Sequence, residues 1–134
     1  GEVFRFTWLR SFHKPIIVRV FCKDVCSVES KVLSGAGGYS PGKIEDTNEY
    51  DLTLEQTSKL RSLFEKVDGW KYEPDAEIIV MDGAQWIFEH ASVESYQLWD
   101  LSSPIGSKAA ENYVDLGLYF LELSQFEIEA NYVY

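Results

Sequence analysis

The sequence predicts an α+β fold: an antiparallel sheet of about six strands, in the order βββα-βββα, packed against two helices. Three observations point there. Several short segments alternate apolar and polar residues or are rich in β-branched side chains, as strands are. Two longer segments space their apolar residues as one face of a helix does. The links between successive strands are too short for parallel crossovers, so hairpins and segregated helices follow. A chain of 134 residues fits a single domain, 1–134, large enough to bury a core of its own.

The first strand runs from Val3 to Arg10, with Phe4, Phe6 and Trp8 on one side and Val3, Thr7 and Leu9 on the other. Pro15, after His13-Lys14, makes that segment a turn or a strand break. Ile16–Cys22 is a β-branched second strand and Val28–Leu33 a shorter third. Gly35 to Gly42 is dense in residues that break regular structure, and an acidic stretch follows it, so a long loop is expected over about 34–51. Thr53-Leu54-Glu55-Gln56 has the pattern of a capping box. Leu60, Leu63, Phe64 and Val67 then give a helix over 54–66, stopped near Gly69. Glu77–Met81 and Ala84–Ala91 flank Asp82-Gly83, a dipeptide suited to a tight hairpin turn. The second of these strands sets Trp86, Phe88 and His90 on one face, and Gln85, Ile87 and Glu89 on the other. Ser95–Leu101 completes the strands. After Pro104 and Gly106, Ser107 is placed to cap a helix to about Ser124, with Tyr113, Leu116, Phe120 and Leu123 inward. Residues 127–134 are read as an added edge strand or a mobile tail.

The chain carries 22 Asp and Glu against 12 Lys and Arg, a formal charge of −10. Such a surface repels nucleic acid, whose binding depends on neutralising phosphates, and favours a basic protein partner. A hydrophobic fraction of 46% argues against disorder despite that charge. No apolar run approaches the length of a membrane-spanning helix. The chain begins with Gly1, so the lack of a signal segment is uninformative about compartment.

Cys22 and Cys26 are too few for a metal site of recognisable spacing. They suit opposite sides of a hairpin with Lys23-Asp24-Val25 as its loop. A disulfide closing so short a loop adds little stability, so free buried thiols are the expectation and a disulfide the alternative. Neither a metal nor a cofactor is expected.

Gly37 to Ile44 nearly matches a phosphate-binding P-loop but fails where the chemistry requires it. Ile44 replaces the hydroxyl that would hold magnesium, Pro41 removes an amide donor, and acidic residues follow Lys43. The two histidines, His13 and His90, invite general-base or ligand roles, but Glu89 and His90 are strand neighbours on opposite faces. No nucleophile motif accompanies them, and no catalytic residue is assigned. Arg10 and Arg19 are placed to pair with Glu89 or Asp82 across the sheet. Trp70, Tyr72, Tyr96, Trp99, Tyr132 and Tyr134 are candidates for exposed aromatic surface. The candidate binding residues are Trp8, Arg10, His13, Asp82, Trp86, Glu89 and His90, located where two aromatic strands from opposite halves of the chain would meet.

Three segments, Trp8-Leu9-Arg10-Ser11-Phe12-His13-x-Pro15, Gly35-x-Gly37-Gly38-Tyr39-x-Pro41-Gly42 and Asp82-Gly83-Ala84-x-Trp86-x-x-Glu89, resemble those of an uncharacterised group of small bacterial proteins. The resemblance extends to near Leu123. It departs at Ser11, where threonine is expected, and at the acidic stretch 45–51. Members of that group often carry an export signal, which implies a periplasmic or cell-envelope location; the resemblance implies no activity and no cofactor. Size, acidity and surplus tyrosines together lead to the expectation of a non-enzymatic protein-binding module, in its sharpest form an immunity or inhibitor protein that neutralises a basic toxin or enzyme. The alternative is a small-ligand-binding protein or hydrolase-like enzyme, with a pocket lined by Trp8, Arg10, His13, Trp86 and Glu89.

Overall fold

Alternation and short links are realised as antiparallel hairpins. The computed structural model describes residues 1–67 and 83–134. Strands β1 (Glu2–Arg10), β2 (Ile16–Cys22), β3 (Cys26–Leu33) and β4 (Ile44–Asp51) precede helix α1 (Leu54–Glu65); β5 (Ala84–Ala91) and β6 (Tyr96–Ser102) precede helix α2 (Glu111–Ser124). Single 3₁₀ turns lie at Lys108–Ala110 and Ala130–Tyr132. The six strands form one sheet in the order β4-β3-β2-β1-β5-β6, with every neighbouring pair antiparallel.

The pairing of β1 with β5 joins the two halves of the chain and sets Phe6 opposite Phe88 and Trp8 opposite Trp86. Their alternation puts Phe4, Phe6, Trp8, Trp86, Phe88 and His90 on one face, all buried. Both helices cover that face. Phe64 of α1 packs edge-on against Phe4, and Phe120 of α2 stacks on Phe6. The opposite face carries Arg5, Arg19 and Glu89, and among the described residues no helix covers it.

The capping box at the start of α1 forms as its sequence predicts. Thr53 accepts from the Gln56 amide while the Gln56 side chain accepts from the Thr53 amide. Ser107, by contrast, makes no side-chain cap; a 3₁₀ turn leads into α2 instead. The expected loop over 34–51 ends at residue 43, because 44–51 pairs with β3 as an edge strand. The sequence hides this strand because six of its eight residues are exposed, so no apolar alternation marks it. The inner face of β4 is fixed to the end of α2: Asn48 Nδ2 donates to the Ser124 carbonyl and the Tyr50 hydroxyl to that of Leu123, both at 2.5 Å. The predicted strand Glu77–Met81, together with Trp70, Tyr72 and Asp82, lies outside the described residues.

The expectation of free thiols is corrected: Cys22 and Cys26 form a disulfide. They face each other directly at the β2–β3 turn, and that register brings the sulfurs together. Residues 127–134 neither extend a sheet edge nor hang free. They fold back over the ends of β1 and β5, and Phe126, Ile128, Val133 and Tyr134 pack on the core.

Gly117 faces inward on α2, where a Cβ would lie 2.5 Å from the Trp86 ring. We expect Gly117→Ala to lower stability by about 1–2 kcal/mol, because overpacking outweighs the gain in helix propensity; an unchanged or raised denaturation midpoint would contradict this packing. Replacing both cysteines by serine should cost about 2 kcal/mol, the loop-closure entropy of so short a link. Chemical denaturation with an unchanged m-value is the check.

Candidate functional site

β1 ends with Trp8, Arg10 and, past the strand, His13, while β5 begins beside it with Trp86. Trp8 and Trp86 are fully buried, their rings 6.0 Å apart and edge-on. An indole N–H buried in this way needs an acceptor. Both find the same one: Trp8 Nε1 and Trp86 Nε1 each donate to the main-chain oxygen of Tyr134 at 2.9 Å. The Tyr134 hydroxyl lies 2.6 Å from His13 Nδ1 and accepts from the Phe12 amide. Burial first, and the nearby Arg10 charge second, hold the His13 pKa below its ordinary value.

Arg10 is the chemically unusual member. It is only 6% exposed, and its guanidinium lies 4.0 Å over the Trp8 ring. Nη1 donates to the Tyr132 carbonyl and Nη2 to that of Lys14, both at 3.0 Å, while Nε has no partner. Among the described residues no carboxylate lies within ion-pair distance of it. Burial lowers its pKa, but a guanidinium stays charged regardless. Arg10 and His13 line a cavity of about 670 Å³ between the Gly-rich loop, the β2–β3 end of the sheet and the C-terminal segment.

The Gly-rich loop is built to pack. A Cβ on Gly37 would lie 2.7 Å from the Leu9 Cα. The amides of Gly35, Ala36, Gly37, Tyr39 and Ser40 all donate to main-chain carbonyls. Five of the loop amides that a phosphate cradle would draw on are thus already committed. The segments behind the resemblance converge here: the Gly37 amide donates to the His13 carbonyl at 3.1 Å, and the Ser11 amide and hydroxyl donate to the Gly83 carbonyl.

The remaining candidates separate. His90 is buried on the helix side between Phe4 and Phe64, with Nε2 2.7 Å from a Glu2 carboxylate that also accepts from Arg61. Glu89 is on the opposite face, in a two-pronged pair with Arg5 (2.9 and 2.7 Å) and accepting from the Tyr96 hydroxyl. Its partner is therefore Arg5; the expected Arg10 and Arg19 are directed elsewhere, because Arg5 is the residue directly opposite Glu89 in the register. Thus Trp8, Arg10, His13 and Trp86 are brought together, Glu89 and His90 are not, and Asp82 lies outside the described residues. The expected pocket lined by both tryptophans and Glu89 does not form, since the tryptophans pack solid and Glu89 faces away.

Sequence reasoning missed the C-terminal contribution from Tyr132 and Tyr134. The available signal was that two core tryptophans require an acceptor. Among the described residues no group of three or more His, Cys, Asp or Glu is placed to hold a metal ion, and no helix is long and apolar enough to cross a membrane. No family model, curated protein or solved structure matches the chain.

The hydrogen bonds from Arg5, chiefly, and that from Tyr96 hold the Glu89 pKa below its ordinary 4.5, against the opposing effect of burial. A carboxylate with a depressed folded pKa stabilises the protein above about pH 4.5, and the contribution is lost as pH falls through the lower folded value. Glu89→Gln should therefore cost about 0.5–1 kcal/mol near pH 7, since the Arg5 side is half-exposed. The difference from the parent should vanish in strong acid; a pH-independent difference in denaturation midpoint would contradict the ion pair.

Proposed function

We propose that this protein is a non-enzymatic protein-binding module that docks a basic partner, and in its sharpest form an immunity or inhibitor protein that blocks a basic toxin or enzyme. The observation that carries this reading is β4. It is an edge strand of the sheet, it holds Glu45, Asp46, Glu49 and Asp51 within eight residues, and those four side chains are exposed. Glu45 pairs with Lys14, whereas Asp46, Glu49 and Asp51 have no cationic partner among the described residues. An edge charged in this way resists pairing with a copy of itself and draws in a cationic surface. The ties from Asn48 and Tyr50 to α2 hold it rigid, which reduces the ordering cost of docking.

The Cys22–Cys26 disulfide supports a periplasmic or cell-envelope location, since such bonds persist in oxidising compartments. It fits the resemblance to the small bacterial group. The hydrolase-like alternative has less support: His90 is engaged with Glu2 and His13 with Tyr134, and neither faces a nucleophile among the described residues.

The test compares the parent with an Asp46→Asn, Glu49→Gln, Asp51→Asn variant in capture from the native host. One dominant basic partner should be retained by the parent, lost by the variant, and bound more than about tenfold more weakly between about 0.1 M and about 0.5 M salt. Equal capture by both proteins, or salt-insensitive binding, would overturn the reading.

A further inference from the structure

The cavity beside Arg10 adjoins the acidic edge at Glu45 but has a different chemistry. Its volume of about 670 Å³ is in the range that takes a small organic molecule. Its walls include Phe12, Ile16, Val32, Phe126 and Ile128, and Arg10 lies among them. A buried cation without a carboxylate is costly, and neutral carbonyls satisfy only part of it. Of the five guanidinium N–H donors, two are used, by the Tyr132 and Lys14 carbonyls, and Nε–H is uncommitted. Nε is closed off from the cavity, but Nη1 and Nη2 each keep one spare hydrogen, and together these make a planar two-pronged donor that suits a carboxylate.

The surrounding charges narrow the class. Lys14 on the rim is already paired with Glu45 at 2.6 Å, and Glu127 and Glu129 also line the cavity. A second negative charge on a ligand would meet those glutamates. Most of the loop amides that would be needed to hold a phosphate are consumed internally. We infer that the cavity between the Gly-rich loop and the C-terminal segment is a binding site for an organic monocarboxylate, its carboxylate held by Arg10 and its apolar body by Phe12, Ile16 and Ile128. The site makes no use of Asp46, Glu49 or Asp51, so either proposal can fail without the other.

The probe is 3-phenylpropionate, titrated into the full chain and followed by amide and arginine Nε–H chemical shifts in NMR, with the neutral 3-phenylpropanamide and inorganic phosphate as comparisons. Saturable shifts should centre on Arg10, Phe12 and Ile128, with the acid binding at least about tenfold more tightly than the amide or phosphate. Arg10→Lys, which keeps the charge but loses the fork, should weaken the acid about tenfold or more. Ile128→Trp, which fills the cavity from the half-buried C-terminal segment, should abolish binding while the fold persists. If Arg10→Lys does not fold, the acid-to-amide ratio and Ile128→Trp decide the matter. Non-saturating shifts, equal affinity for acid and amide, tighter binding of phosphate, or binding unaffected by Ile128→Trp would each overturn the assignment.

Discussion

Two indole N–H groups sit on the buried face of the sheet where β1 and β5 pair, and one main-chain oxygen satisfies both. Trp8 and Trp86 are separated by most of the chain, and Tyr134 follows both. Leaving either donor unpaired in that setting would cost about 1–3 kcal/mol. The requirement therefore ties the first strand, the fifth strand and the last residues into one unit. It also explains why Arg10 and His13 contact the C-terminal segment: with Tyr134 held by the indoles, the Tyr132 carbonyl reaches Arg10 and the Tyr134 ring reaches His13. The cavity beside Arg10 follows from the same arrangement, because residues 126–132 supply one of its walls.

The sheet is sharply two-sided. Its helix face is a stack of rings, in which Phe6 contacts Trp86, Phe88 and Phe120. His90 joins that stack rather than a reactive centre, with its ring between Phe4 and Phe64. The other face mixes the Arg5–Glu89 pair with half-exposed and exposed apolar side chains such as Ile87 and Leu98. The two proposed binding regions lie at the margins: the acidic edge at β4 and the Arg10 cavity at the end where the loop, strands and C-terminal segment meet. The two are physically linked through Lys14, whose carbonyl holds Arg10 and whose ammonium pairs with Glu45 on β4.

The sequence made most of the fold legible because burial and period agree. Phe4, Phe6 and Trp8 alternate inward as their spacing predicts, and so do Trp86, Phe88 and His90. The capping box at Thr53 was equally readable, since a cap is a local pattern. β4 was not, because an exposed edge strand needs no apolar alternation. The facing placement of Cys22 and Cys26 was legible, but the bond between them was not, because a loop so short gives a disulfide little entropic reason to form. The candidate site was half legible. Trp8, Arg10, His13 and Trp86 belong together because β1 and β5 pair, whereas Glu89 and His90 were separated by the strand alternation already visible around them. The partners of Arg10 and the indoles are main-chain oxygens, which no side-chain pattern announces.

The central claim is that a single C-terminal oxygen completes the buried tryptophan pair. Hydrogen exchange of the individual indole N–H protons, followed by NMR in the intact protein, tests it most directly. The Trp8 and Trp86 protons should exchange slowly and at similar rates, released by one shared opening of the C-terminal segment. Fast exchange of both protons, or slow exchange at two unrelated rates, would contradict it.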